Sequence, residues 1–165
     1  GRVGRAFAAK ARGFDMKIHY YNRSELSADQ ANGAIYHNTI ESLLSVADFL
    51  SLHCPATPET TDLMNAHRLA LLPQGAVIVN TARGALVDED ALIAAIETGQ
   101  VTAAGLDCYK TEPGGNAAFA AYENIFMLPH IGSATRQTRD AMGFRALDNL
   151  DAFFAGKTPR DLLYI

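Results

Sequence analysis

The stretch Ala76-Val77-Ile78-Val79-Asn80, followed by Thr81-Ala82-Arg83-Gly84, joins a short apolar, largely β-branched run to a polar turn that carries an arginine. A run of this length and composition, closed by polar residues and a glycine, reads as a buried strand. The same unit recurs on either side. Strands are expected at Lys17 to Tyr21, Ala34 to Tyr36, Phe49 to Leu52, Ala103 to Leu106 and Ile125 to Leu128. Helical spacing fills the intervals at Val3 to Arg12, Ile40 to Val46, Ala66 to Leu71 and Asp90 to Thr98. The last of these opens with Asp88 and Glu89, whose charge suits a helix N-terminus. One long amphipathic helix, Arg136 to Ala155, closes the pattern and is ended by Gly156 and Pro159. Alternation of this kind predicts an α/β fold with a doubly wound parallel sheet of the Rossmann type.

Composition narrows the function class. Of 165 residues, 48% are hydrophobic and 19% charged, which suffices for one buried core in one domain. The net charge of -4 comes from interspersed acids and bases, so the clustered basic footprint of a nucleic-acid or anionic-membrane binder is missing. Small-molecule chemistry is the expectation. Neither a membrane-length apolar run nor a signal-peptide pattern is present, and the 2 cysteines, Cys54 and Cys108, read as thiols in a reducing cytoplasm, although counting alone leaves one disulfide open. No repeat or low-complexity segment appears.

Gly1 and Gly4 stand three residues apart at the head of a helix. They match the last two glycines of the G-x-G-x-x-G dinucleotide fingerprint. There the middle glycine admits the pyrophosphate to the backbone, the last lets helix and sheet pack closely, and the helix end supplies a favourable dipole. Arg2 and Val3 would line the same turn. About twenty residues on, where the fingerprint has its ribose-reading side chain, the strand ends in Asn22-Arg23-Ser24. A carboxylate there favours NAD; Asn22 removes it and Arg23 can pair with the 2'-phosphate of NADP, so an NADP(H) preference is predicted. The plainer alternative for Arg23 is a solvated residue after a strand.

Three further segments follow expected strands directly: Asn80 to Gly84; Gly105-Leu106-Asp107 with Thr111-Glu112-Pro113; and Leu128-Pro129-His130-Ile131-Gly132-Ser133-Ala134-Thr135. Ligands of open α/β sheets lie beyond the carboxyl ends of the strands, so Arg83, Glu112 and His130 should converge there. Such a trio suits reduction of a 2-oxo acid. An arginine fork holds the carboxylate or polarises the carbonyl, a protonated histidine donates the proton accompanying the hydride, and a neighbouring carboxylate orients the ring and favours its charged form. Taken singly, Arg83 is equally a surface charge, Glu112 a turn residue, His130 a satisfied loop histidine and Asp107 a turn cap. His19, His37, His53 and His67 form no pair with metal-ligand spacing beside suitable partners, so no metal site is expected.

At these residues, and at Leu52-His53-Cys54-Pro55, Thr57-Pro58-Glu59-Thr60 and Leu86-Val87-Asp88, the chain resembles the D-isomer-specific 2-hydroxyacid dehydrogenases over essentially its whole length. Asn22-Arg23 and Leu128 to Thr135 look most like the glyoxylate and hydroxypyruvate reductases. The resemblance implies Arg83 for substrate carboxylate and carbonyl, Glu112 as partner of the histidine, and His130 as general acid/base. It also implies that Asp107 and Thr81-Ala82 border the nicotinamide, with Pro55 nearby and Cys54 and Gly132 among the cofactor-contacting positions.

The family resembles two-domain proteins whose substrate domain lies mainly ahead of the glycine motif. That domain and the first strand, central in the 3-2-1-4-5-6 order, are expected outside residues 1–165, with residues 136–165 forming a terminal helix and tail that returns toward the substrate domain. A homodimer is the implied assembly. Two other readings remain: a nucleotide-dependent binding module of the co-repressor type, since fold does not fix function, and an inactive fragment.

Overall fold

The computed structural model describes residues 1–163, with Tyr164 and Ile165 outside the described residues. It divides into two compact units, one running from Gly1 to Pro129 and one starting at His130.

In the first unit, α1 (Arg2–Ala11) leads to β1 (His19–Tyr21), α2 (Ala28–Ala31) to β2 (Ile35–His37), and α3 (Ile40–Leu44) to β3 (Phe49–Leu52). Then α4 (Ala66–Leu69) leads to β4 (Ala76–Asn80), α5 (Glu89–Glu97) to β5 (Val101–Leu106), and a 3-10 turn over Ala117–Ala121 to β6 (Ile125–Met127). Every strand pair is parallel. The α/β architecture of Rossmann type is therefore present.

The strands fall into two separate sheets, β1-β2 and β3-β4-β5-β6. In the 3-2-1-4-5-6 order these are the portions on either side of the middle strand, with β6 added beyond. Among the described residues, β1 and β3 each keep one edge without a strand neighbour.

The core belongs to the larger sheet. Along β4, Ala76, Ile78 and Asn80 are buried while Val77 and Val79 are half-buried, as on a sheet covered on both faces. Leu44, Leu69, Leu86, Leu92, Val101 and Phe119 complete one contiguous apolar cluster around it. The smaller sheet buries no residue fully. It is held by paired rings, with Tyr20 and Tyr36 at 5.3 Å between centroids. A chain of hydrogen bonds adds to this, from His19 Nδ1 to His37 Nε2 (2.8 Å) and from His37 Nδ1 to Ser42 Oγ (3.0 Å). Burial, then the charges of His37 and Lys17, lower the His19 pKa.

Element ends differ from expectation by one or two residues, as helix and strand ends commonly do. β1 starts at His19 rather than Lys17 because at Ile18 only the carbonyl joins the ladder, accepting from Ile35 N–H at 2.8 Å. β5 begins two residues early, at Val101, past a register shift opposite Ala76 and Val77. The one-turn helix α2 had no periodic signal to betray it.

In the second unit α6 (Arg136–Phe154) is capped by Thr135, whose hydroxyl accepts Thr138 N–H at 3.2 Å, and ends at Gly156 with φ +68°. The expected amphipathic character is the part that fails. No residue of α6 is buried, and Met142, Phe144, Leu147, Leu150, Phe153 and Phe154 are all exposed. At 3.6 residues per turn they spread over roughly 200° instead of one stripe. After the helix the chain turns back, and Asp161 meets Arg145 Nε (2.5 Å) and Asn149 Nδ2 (2.8 Å). These two donors hold the Asp161 carboxyl below its usual pKa.

Candidate active site

Leu52, Asn80, Leu106 and Met127 stand in register at the carboxyl ends of β3, β4, β5 and β6. The loops that leave these four positions therefore start from one edge of the sheet. They are His53-Cys54-Pro55, Thr81 to Gly84, Asp107 to Glu112, and Leu128-Pro129.

Asn80 shapes the second loop. Its carboxamide is 1% exposed, donating from Nδ2 to the Arg83 carbonyl (2.9 Å) and accepting Ala82 N–H at Oδ1 (3.1 Å). A buried amide with both ends used fixes its turn, because any other backbone path would leave it unsatisfied. The backbone carbonyl of Asn80 also accepts Asp107 N–H at 3.0 Å, tying this loop to the next. Arg83 then presents an exposed guanidinium, with Nη1 bonded to the Ala82 carbonyl at 2.6 Å. Immediately beyond it, a Cβ on Gly84 would lie 1.8 Å from the Tyr109 carbonyl carbon and 2.4 Å from Lys110 N. The two loops touch backbone to backbone.

Glu112 lies in the third loop, and its Oε1 accepts Tyr109 N–H at 2.8 Å. The Tyr109 hydroxyl faces the carbonyls of Leu106 (3.0 Å) and Leu128 (2.9 Å), sharing one proton between the ends of β5 and β6. Cys108, 3% exposed, reports the local charge: burial pushes its thiol up to about 11, Glu112 and Asp107 push the same way, and Arg83 opposes them. The charges of Arg83, Asp107 and Glu112 are thus all felt at this one buried thiol. Cys54 and Cys108 are both free thiols, and burial raises the Cys54 pKa as well.

His130 and Gly132 belong to the second unit. His130 follows Pro129 along the chain with φ +54°, a left-handed conformation uncommon outside glycine and concentrated at functional positions.

The remaining cofactor candidates sit where the sequence put them. Gly1 is the N-cap of α1, with Arg2 and Val3 in its exposed first turn. Asn22, Arg23 and Ser24 follow β1, where Asn22 Nδ2 donates to the Ser24 carbonyl (3.2 Å) and Arg23 is exposed. Thr81 and Pro55 are exposed, Ala82 and Cys54 half-buried. Asp107 is 3% exposed. No group of three or more metal-binding side chains occurs among the described residues.

The family model described as D-isomer specific 2-hydroxyacid dehydrogenase, NAD binding domain, matches residues 1–132. The chain belongs to this family. Glycerate dehydrogenase of Hyphomicrobium methylovorum is 44% identical over 158 residues, 94% of this chain and 49% of that protein. A solved structure from Polaromonas sp. JS6 66, described as a D-isomer specific 2-hydroxyacid dehydrogenase, is 43% identical with TM-score 0.95, covering 99% of this chain and 51% of the other. An NADPH-dependent glyoxylate/hydroxypyruvate reductase from Sinorhizobium meliloti, solved with NADP and malonate, is 34% identical with TM-score 0.89 and covers 100% and 53%. The chain spans about half the length of the curated relatives it matches.

The residues present fit the dinucleotide of this 2-hydroxyacid dehydrogenase domain. At the N-terminus of α1 there is neither a side-chain cap nor an acidic residue in the first turn, so nothing there competes with a pyrophosphate for the free N–H groups. A Cβ on Gly4 would meet the His53 ring at 3.4 Å. The last glycine of the motif thus has the close packing that its role calls for.

Sequence reading gave no role to Asn80 or Tyr109, and gave Glu89 only that of a helix-end charge. Asn80 was detectable as the polar end of an otherwise apolar strand. The other two show their further purpose only in contacts across the fold.

Proposed function

We propose that the full-length protein transfers a hydride between NAD(P)H and a small 2-oxo acid, glyoxylate or hydroxypyruvate, with Arg83, Glu112 and His130 as catalytic residues. The observation that carries this is the Asn80-closed turn, which presents Arg83 and packs at Gly84 against the backbone of the loop that carries Glu112. The names of the Hyphomicrobium and Sinorhizobium relatives support the substrate class.

Bound nicotinamide would supply the hydride. Arg83 holds the substrate carboxylate in a charge-assisted fork and polarises the 2-oxo carbonyl. His130 donates its proton to the carbonyl oxygen as the carbon is reduced, and Glu112 orients the imidazole. Asp107, with Thr81, Ala82, Cys54, Pro55 and Gly132, would border the nicotinamide. Gly1, Arg2 and Val3 would receive the pyrophosphate, and Asn22, Arg23 and Ser24 would take the 2'-phosphate of NADP(H). The open edges of β1 and β3 support a further strand between them, preceded by a substrate domain toward which residues 136–163 return. A homodimer in the cytoplasm completes the reading. Two free thiols agree with a reducing compartment, and no helix among the described residues is long and apolar enough to cross a membrane.

The test is loss of nicotinamide absorbance when the full-length protein meets hydroxypyruvate or glyoxylate with NADPH or NADH. Turnover favouring NADPH is expected; turnover favouring NADH would discard the Asn22-Arg23 assignment alone. His130→Ala should lower kcat about 100-fold to 10,000-fold with cofactor affinity mostly kept. An unchanged rate removes His130 from the mechanism.

A further inference from the structure

Glu89 is the first residue of α5, yet it does not cap that helix. Asp88 does so, its Oδ1 accepting Ala91 N–H at 3.1 Å. The Glu89 carboxylate reaches away from the helix, with Oε1 accepting Lys110 N–H (2.9 Å) and Oε2 accepting from Asn116 Nδ2 (3.1 Å). Two consecutive amides, Tyr109 and Lys110, are therefore taken by two carboxylates, Glu112 from within the loop and Glu89 from outside it. A second tie runs parallel to the first. Lys110 Nζ lies 2.6 Å from Asp62 Oδ1, and Asp62 N–H donates to the Ala85 carbonyl at 2.8 Å. The Asp62 oxygen is cut off from solvent, and this ammonium rather than a well-angled hydrogen bond compensates it.

We propose that Glu89 is a positioning residue for the reaction. It pins the loop 109–116 to the segment 83–89 and so sets the distance between the Glu112 carboxylate and the Arg83 guanidinium. The inference rests on the roles proposed above for Arg83 and Glu112. Three physical facts carry it. Gly84 and Tyr109 already meet backbone to backbone, leaving the loop one seat. Both Glu89 oxygens are spent on residues that flank Glu112 in sequence. The helix end is served without it. Catalytic geometry is sensitive on this scale, since a displacement of about 1 Å can cost about 100-fold in rate.

Glu89→Asp keeps the charge and its favourable place in the first turn of α5 but is one methylene too short to span Lys110 and Asn116. Glu89→Gln keeps the reach and one acceptor oxygen. In the full-length protein with NADPH and hydroxypyruvate, Glu89→Asp should lower kcat about tenfold with the KM for NADPH within about twofold, and Glu89→Gln should restore most of the loss. If Glu89 acts through Glu112, Glu89→Asp should cost nothing further in a Glu112→Gln background. An unchanged kcat in Glu89→Asp, or the same fold-loss with and without Glu112, overturns the positioning role and leaves the reductase reading intact. A wild-type protein that reduces neither acid overturns both. Circular dichroism and thermal unfolding of each variant separate loss of fold from loss of geometry, and should Glu89→Asp not fold, Glu89→Ala, which removes both contacts without leaving a displaced carboxylate, gives the same decision in the two backgrounds.

Discussion

The two sheets of the first unit are built on different principles. The four-stranded sheet carries the whole contiguous core, from Leu44 to Ile125, with Ile78, Leu86, Leu92, Val101 and Phe119 fully shielded. The two-stranded sheet is held by rings and imidazoles at its surface, with Tyr20 on Tyr36 and His19 on His37. Apolar burial is worth about 25 cal/mol per Å², whereas exposed ring pairs add about 1 kcal/mol. The candidate catalytic loops hang from the stiff sheet, and the residues assigned to cofactor choice hang from the soft one. On the proposed roles, chemistry that needs sub-ångström placement would sit where the fold is strongest, and the element proposed to tell one dinucleotide from another would sit where sequence change costs least.

That contrast can be broken by substitution. The largest effect is expected at Gly84, where a methyl group would overlap the Tyr109 carbonyl and neither backbone can yield without parting the two loops. Gly84→Ala should cost about 5 kcal/mol, read by urea unfolding, and depress turnover of the folded fraction. By contrast Gly33→Ala, next to β2 at φ +77° but in open space, should cost about 1 kcal/mol. Equal losses would erase the distinction between the halves. Next comes Ile78, 0% exposed at the centre of β4; Ile78→Ala should cost about 2–5 kcal/mol, and Tyr20→Ala on the half-exposed β1 about half as much or less.

The smallest effect is the pH dependence of Cys108. Its native pKa of about 11 lies above that of an unfolded thiol, so the folded state holds the proton more tightly. The resulting stability is whole below about pH 8.5 and is lost as pH rises through about 11. Wild type should therefore lose more stability than Cys108→Ala across that window, and parallel curves would show that the thiol is not held protonated.

How much of this was legible in the sequence depends on distance along the chain. β4 could be read because Ala76 to Asn80 form an apolar run stopped by polar residues, and the loop after it could be read as a site because strand ends in this fold face ligands. Arg83 and Glu112 were named as candidates that way. Glu89 was read as a charge favouring its own helix end and does stand in the first turn of α5, but its further ties went unseen because those partners lie 21 and 27 residues away and nothing in local spacing announces them. Tyr109 escaped because its hydroxyl reaches Leu128, 19 residues on. The amphipathic reading of α6 failed because Met142, Phe144, Leu147, Leu150, Phe153 and Phe154 make the helix apolar without falling on one stripe.

The edge of β3 also bears on which substitutions that strand tolerates. Phe49-Leu50-Ser51-Leu52 carries no lysine, no proline and no bulge, and Phe49 is 63% exposed. Natural sheets blunt such edges with charge or irregularity, because a row of unpaired amides and carbonyls is a template for the next chain. Phe49 to Leu52 thus make a strand composed for the inside of a sheet, and any substitution that places a lysine or a proline there should weaken its pairing rather than protect it.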